Sequence, residues 1–86
     1  LVSRSENIMI KHSMLHKNTW SGFEFYHCSK VTFMGNKIYD NKKAGTFYNC
    51  KGGLFFSNRI YRNKRPVTFS RSSGFKIYRN SPRIRR

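Results

Sequence analysis

The chain has 86 residues, of which 18 are Lys or Arg and only 3 are Asp or Glu, so its formal net charge is +15. A chain of this length forms one small domain at most, and its longest apolar run, Leu54 to Phe56, is far too short to cross a bilayer or to form a secretory signal. Because so much positive charge repels itself in a compact protein, we expect a negatively charged partner.

Apolar and polar residues alternate in short segments along the whole chain, a pattern typical of half-buried β-strands. Clusters of Asn, Gly, Ser and Lys separate these segments and are expected to form corners. Helical spacing is absent from the sequence. In chain order, the residues predicted to point inward are Ile8, Ile10, Leu15, Phe23, Phe25, Val31, Phe33, Ile38, Phe47, Phe55, Ile60, Val67, Phe69, Phe75 and Ile77.

The segments repeat with a period of 22 residues. Residues 25–42 and residues 47–64 are identical at nine of 18 positions, and weaker copies lie upstream and downstream of them. Three short strands and three corners in each period describe one coil of a solenoid. Since equivalent residues of adjacent coils stack at the strand spacing of about 4.8 Å, we expect Asn36, Asn58 and Asn80 to form a hydrogen-bonded ladder.

Two glycines, Gly45 and Gly53, fall at inward positions of the repeat. They are expected to leave thin places in the core, for which the region around Phe55 and Phe56 would compensate.

The pattern G-x-F-x-x-C-x-x-x-x-F-x-x-N-x-I-x-x-N begins at Gly45, and its part from the first Phe onward recurs from Phe25 after Gly22. It resembles the coil repeat of right-handed parallel β-helix proteins, the pectate-lyase-like superfamily, over roughly residues 7 to 80. The resemblance implies an all-β fold, a short right-handed parallel β-helix solenoid of about three to four coils. We expect a single unit over residues 1–80 and a basic tail at residues 81–86. The resemblance says little about function, because this fold includes lyases, hydrolases, phage tailspikes and structural modules.

The outward positions carry stacked aromatic and basic residues. Cations that alternate with aromatic rings suit a phosphate backbone with unstacked bases, so we predict that the Lys and Arg residues hold phosphates while the Tyr rings stack or pack. The residues predicted to bind a polyanion are Lys37, Arg59, Lys42, Lys64, Lys43, Arg65, Arg62, Arg79, Tyr39 and Tyr61. A second outward stack, Met34, Phe56 and Tyr78, is predicted to pack against a partner.

Residues for catalysis or metal binding are too sparse to suggest an enzyme. The three carboxylates, Glu6, Glu24 and Asp40, fall in separate coils and at non-equivalent positions, so no acid and base pair is predicted. The three His residues and the two Cys residues lack the spacing of metal ligands. We therefore predict no catalytic residue, metal, cofactor or small-molecule substrate, and we interpret Cys28 and Cys50 as reduced structural residues.

The two ends of a solenoid need caps. Trp20 and the Met14-Leu15 pair are expected to cover part of the first coil, whereas the C-terminal stretch offers no helix to shield Phe75 and Ile77. Because the chain also begins at Leu1 rather than Met, we expect either a processed chain or a fragment of a longer one.

These features predict a non-catalytic, structural RNA-binding component of a ribonucleoprotein assembly similar to a ribosome, with rRNA and neighbouring proteins as partners and no membrane. The abundance of Phe, Tyr, Asn, Lys and Ile, which AT-rich coding produces, suggests an intracellular and organellar setting such as the mitochondrion. Two alternatives stay open. One is a fragment of an extracellular β-helix protein that binds acidic polysaccharide, and the other is a structural module of a virus or appendage that packs on identical copies.

Overall fold

The computed structural model describes residues 1–84, and this part of the chain contains 11 β-strands and no helix. Arg85 and Arg86, the end of the predicted basic tail, lie outside the described residues. The strands are β1 (Val2–Ser3), β2 (Met9–Lys11), β3 (Met14–His16), β4 (Ser21–Tyr26), β5 (Ser29–Met34), β6 (Lys37–Tyr39), β7 (Lys43–Tyr48), β8 (Lys51–Phe56), β9 (Arg59–Tyr61), β10 (Arg65–Ser70) and β11 (Ser73–Tyr78).

The strands form three parallel sheets. The first three coils each contribute one strand to each sheet in turn, and the fourth contributes β10 and β11. Sheet A has the order β1-β4-β7-β10, sheet B the order β2-β5-β8-β11, and sheet C the order β3-β6-β9. The register pairs residues 22 apart from the second coil onward, for example Phe33 with Phe55, whereas the first coil pairs residues 23 apart, as with Leu15 and Ile38. The predicted all-β parallel solenoid, with about four coils of roughly 22 residues, is therefore confirmed.

Phenylalanine rings fill the interior between the three sheets. Phe25 stacks on Phe47 with ring centroids 5.3 Å apart, and Phe33 stacks on Phe55 at 5.2 Å. All four rings are buried. Every residue predicted to point inward is either buried in this core or packed against it, and the core also includes Ala44, Cys28 and Cys50.

The space beside Gly45 and Gly53 is filled differently from the prediction. A Cβ atom added at Gly45 would overlap the ring of Phe23, and one added at Gly53 would overlap the carbonyl oxygen of Val31 and lie 2.8 Å from the ring of Phe75. Compensation by the Phe55 region was the wrong expectation, because rings from the adjacent coils already cover both glycines.

Two asparagine ladders occupy the corners on either side of sheet C. In the predicted ladder, the Nδ2 of Asn36 donates to the Oδ1 of Asn58 at 3.1 Å, and the Nδ2 of Asn58 donates to the Oδ1 of Asn80 at the same distance. The second ladder runs from Asn18 through Asn41 to Asn63. Since buried polar groups are tolerated when they are hydrogen-bonded, these ladders keep the corners closed without apolar residues.

Cys28 and Cys50 lie in adjacent coils at the corner between sheets A and B, where both are buried and free. The Sγ of Cys50 donates to the carbonyl oxygens of Phe25 and Tyr48, and burial raises the pKa of its thiol. In the next coil, the Oγ of Ser72 makes equivalent hydrogen bonds. Both cysteines are thus buried and their thiol groups face the backbone of the same corner, and their reduced state stays a prediction.

Most corners contain a residue with left-handed backbone angles that is not glycine. Arg71 has a φ of 49°, Arg79 of 55° and Arg62 of 54°. Such angles are uncommon for residues other than Gly, Asn, Asp and His, yet they recur here after the strands of all three sheets. These turns place several cationic residues at the edges between sheets.

The residues expected to cap the first coil do not all do so. Leu15 packs against the core, but Met14 is 62% exposed and Trp20 is 63% exposed. Met14 occupies an outward position of β3 opposite Lys37, so its side chain cannot turn inward without a shift of register. Near the other end, Ile84 packs against the core, a contact that the sequence analysis did not assign.

Candidate polyanion-binding face

The outer side of sheet C carries one basic and one aromatic column. Lys37 pairs in register with Arg59, and Tyr39 pairs with Tyr61. The two tyrosine rings lie 4.9 Å apart and are nearly parallel, and His16 stacks on Tyr39 at 4.8 Å. Because strand pairing fixes this separation, a base cannot enter between the rings. Tyr39 has rings on both of its faces, whereas Tyr61 on the edge strand β9 is stacked on one face only.

Arg62 lies at the corner after sheet C, but its charge already has a partner. Its Nε donates to the Oδ1 of Asp40 at 2.9 Å, and its Nη2 donates to the Oδ2 at 3.0 Å. The guanidinium group also lies over the rings of Tyr39 and Tyr61, at 5.7 and 5.2 Å. Arg62 was predicted to bind a polyanion, and this role stays a prediction for a side chain that already forms an exposed ion pair with Asp40.

Four further cations line the corner that leads from sheet C into sheet A. Lys43 pairs in register with Arg65, and Lys42 and Lys64 precede them by one residue in successive coils. Together with the basic column of sheet C they form what we call the cationic face, defined as Lys37, Arg59, Lys42, Lys64, Lys43 and Arg65. Within residues 1–84, none of these six side chains forms a salt bridge.

Arg79 and the apolar column predicted to pack on a partner lie toward sheet B, at the border of sheet C opposite to the one that leads into sheet A. Met34, Phe56 and Tyr78 pair in register on the outer side of sheet B. The rings of Phe56 and Tyr78 stack at 4.9 Å, and Tyr78 is 41% exposed. Arg79 follows directly at the corner between sheets B and C. The predicted residues thus fall on sheet C and on the two borders beside it.

Several concave regions mark the outer surface of the described residues, and two of them are relevant here. A groove of about 470 Å³ on sheet B is lined by Gly52, Gly74, Leu54 and a few cations. A smaller pocket of about 200 Å³ lies beside the cationic face, and Trp20 lines it together with Lys42, Lys43 and Arg65. The position of Trp20 in this pocket was not predicted, although the sequence contains a signal for it, since Trp20 lies 22 residues before Lys42 and so shares its column.

The three acidic residues lie at different places in the described part of the chain. Glu24 lies on sheet A, Glu6 precedes β2, and Asp40 at the corner after sheet C is engaged by Arg62. No cluster of three or more His, Cys, Asp or Glu residues that would hold a metal ion occurs among residues 1–84. The same residues include no helix long and apolar enough to span a membrane.

The coil repeat, the three parallel sheets and the inward-facing columns define this chain as a β-solenoid. The chain belongs to the right-handed β-helix family, because the family model described as "Right handed beta helix region" matches residues 1–85. This match confirms the resemblance noted from the sequence. Searches of curated proteins and of solved structures gave no significant match.

Proposed function

We propose that this protein is a non-catalytic module that binds the backbone of single-stranded RNA through its cationic face. The observation that carries the proposal is the register of the cations, which places Lys37 beside Arg59 and Lys43 beside Arg65 in adjacent coils, without a salt bridge to any of the six within residues 1–84. A solvated charged surface normally mixes both signs, whereas unpaired cations in columns attract a polyanion and release its counterions.

The geometry favours recognition of the backbone over recognition of base sequence by sheet C. Stacked rings cover both faces of Tyr39 and leave only the outer face of Tyr61 for a base, while Lys37 and Arg59 beside them are exposed. Parallel strands hold the cations in columns at about 4.8 Å, so the face is a rigid strip of positive charge. Binding of this kind tolerates many RNA sequences.

The setting that we propose is a ribonucleoprotein assembly inside the cell. The support comes from two neighbouring surfaces of different character, the cationic face and the apolar column of Met34, Phe56 and Tyr78 on sheet B. A chain that contacts RNA on one side and a neighbouring protein on the next needs both surfaces.

The experiment is a titration of labelled single-stranded RNA, followed by fluorescence anisotropy at several salt concentrations. Each phosphate neutralised on a single strand changes the slope of log K against log[salt] by about −0.7, so full engagement of the cationic face gives a slope of about −4. The double variant Lys37→Glu/Arg59→Glu should bind more weakly, and its slope should be shallower by about 1.4.

A matched control changes the same charge elsewhere on the solenoid. Lys51 and Lys76 lie on sheet B and are exposed, so Lys51→Glu/Lys76→Glu lowers the net charge equally and should leave most of the affinity. Equal losses in the two double variants would contradict a localised site. Tighter binding of polygalacturonate than of RNA would instead support the acidic-polysaccharide alternative.

A further inference from the structure

The small pocket beside the cationic face contains groups that backbone binding alone does not use. Its volume is about 200 Å³, below the roughly 300–1,000 Å³ typical of clefts for drug-sized ligands. Such a volume suits a single ring system. The lining groups that matter are Trp20, Ser21, Glu24, Lys42, Lys43 and Arg65.

Trp20 provides an exposed aromatic surface beside the cationic face. It is 63% exposed, and within residues 1–84 no other aromatic ring stacks against it. The Nζ of Lys42 lies over one face of its ring system, 4.6 Å from the centroid. An exposed indole among cations suits an unstacked base, since the face opposite Lys42 accepts the base and a neighbouring cation accepts the phosphate.

The polar groups of the pocket are complementary to a nucleotide. Lys43 and Arg65 continue the column that begins at Ser21, and both cations line the same pocket as the indole. The carboxylate of Glu24 only accepts hydrogen bonds when it is ionised, and it matches the exocyclic amino group of a base. The Oγ of Ser21 is buried without a hydrogen-bond partner, and such a group is stabilised when a ligand supplies one.

We infer that this pocket binds one unstacked base of the RNA strand. The base stacks on Trp20, the adjoining phosphate contacts Lys43 and Arg65, and an exocyclic amino group donates to Glu24. This inference rests on the proposed function, to which it adds a subsite and a preference for bases that carry an amino group over uracil.

The test uses the fact that the chain contains a single tryptophan, so its intrinsic fluorescence reports on this pocket alone. Oligocytidylate should quench the fluorescence strongly, oligouridylate less, and an abasic ribose-phosphate strand of equal length least. Trp20→Leu should bind oligocytidylate roughly 5- to 150-fold more weakly, as expected for the loss of one stacked base, and should bind the abasic strand as before. Glu24→Gln should remove the preference for cytosine over uracil.

Tyr78→Leu is the control, because it removes an exposed aromatic residue on sheet B, away from the pocket. Equal quenching by abasic and base-containing strands, or unchanged affinity of Trp20→Leu, would overturn the subsite while RNA binding stands. Quenching by polygalacturonate without quenching by RNA would also overturn it. Failure of every RNA strand to bind would overturn the proposed function itself, so the two failures are distinguishable.

Discussion

Replacing Asn58 with alanine tests whether the asparagine ladder stabilises the solenoid. Asn58 is 1% exposed and its side chain makes four hydrogen bonds. Its Nδ2 donates to the carbonyl oxygen of Phe33 at 2.9 Å and to the Oδ1 of Asn80 at 3.1 Å. Its Oδ1 accepts from the backbone N–H of Asn36 at 3.0 Å and from the Nδ2 of Asn36 at 3.1 Å.

The expected loss follows from what alanine leaves behind. The buried N–H of Asn36 would lose its partner, which costs about 1–3 kcal/mol, and each of the other three bonds contributes about 0.5–1.5 kcal/mol. We therefore expect the free energy of unfolding to fall by about 3–7 kcal/mol. Because small domains have about 5–15 kcal/mol in total, the variant should be at the edge of folding.

The measurement is thermal and urea unfolding, followed by circular dichroism. For a domain of this size, about 1 kcal/mol shifts Tm by roughly 4–8 °C, so Asn58→Ala should melt at least about 12 °C lower than the parent. The control is Asn18→Ala, which removes one hydrogen bond from an exposed residue at the end of the second ladder. Similar losses of less than about 1 kcal/mol in both variants would refute the reasoning.

Three further outcomes follow from single side chains. Gly45→Ala should destabilise the fold by about 1–3 kcal/mol in urea unfolding, because the new methyl group overlaps the ring of Phe23. Burial raises the pKa of Cys50 above its ordinary value of 9.0, so its stabilisation is full below pH 9.0 and is lost as pH rises through the folded-state pKa. As the pH is raised above 9.0, the Tm of the parent should thus fall more than the Tm of Cys50→Ser. Asp40→Asn should free the charge of Arg62, which raises RNA affinity and steepens the salt slope by about 0.7 in anisotropy titrations.

Each of these outcomes has its own control. Gly52→Asn adds a side chain where a Cβ would meet no atom within 4 Å, and Asn tolerates the positive φ, so it should be far milder than the change at Gly45. Serine at position 50 matches Ser72 of the next coil, so Cys50→Ser keeps the local hydrogen bonds. Arg59→Gln is the positive control and should weaken RNA binding. If it does so while Asp40→Asn leaves the RNA affinity unchanged, Arg62 lies outside the interface.

The solenoid could be predicted from the sequence because the pattern of one coil recurs in the others. Alternation with a period of two identified the inward residues, and the repeat of 22 identified which of them stack, as with Phe33 and Phe55. The buried Asn36 ladder was predictable for the same reason, since an amide that recurs at a corner bonds to its own copy. Periodicity alone carries this information, without any knowledge of side-chain rotamers.

The corners could not be predicted, because contacts between coils override the local preferences of the residues. Arginine and lysine do not favour left-handed backbone angles, yet Arg4 adopts a φ of 49° and Lys17 of 56°. At Arg4 the N–H donates to the carbonyl oxygen of Tyr26 in the next coil, and at Asp40 the N–H donates to that of Arg62. The same column therefore accepts Asp and Arg alike.

The candidate site was predictable as columns but not as contacts. Lys37 and Arg59 fall on one face as expected, whereas the pairing of Arg62 with Asp40 depends on two side chains turning toward each other. Trp20 was misjudged because a large apolar residue before a strand was expected to cover the core. Trp20 instead shares an outward column with Lys42, so its ring lies on the surface.

The columns also explain why charge remains unbalanced on one side of the solenoid. A repeat places each residue over its copy, so a basic position that recurs sets like charges side by side, as with Lys43 and Arg65. Two unit charges about 5 Å apart in water repel by about 0.8 kcal/mol, and like charges directly opposite each other destabilise paired strands. In the neighbouring column, Asp40 and Arg62 avoid this repulsion by opposite sign. No carboxylate within residues 1–84 forms a salt bridge with the cationic face, so we expect that an anion bound from outside the chain relieves this repulsion and that anion binding stabilises the fold.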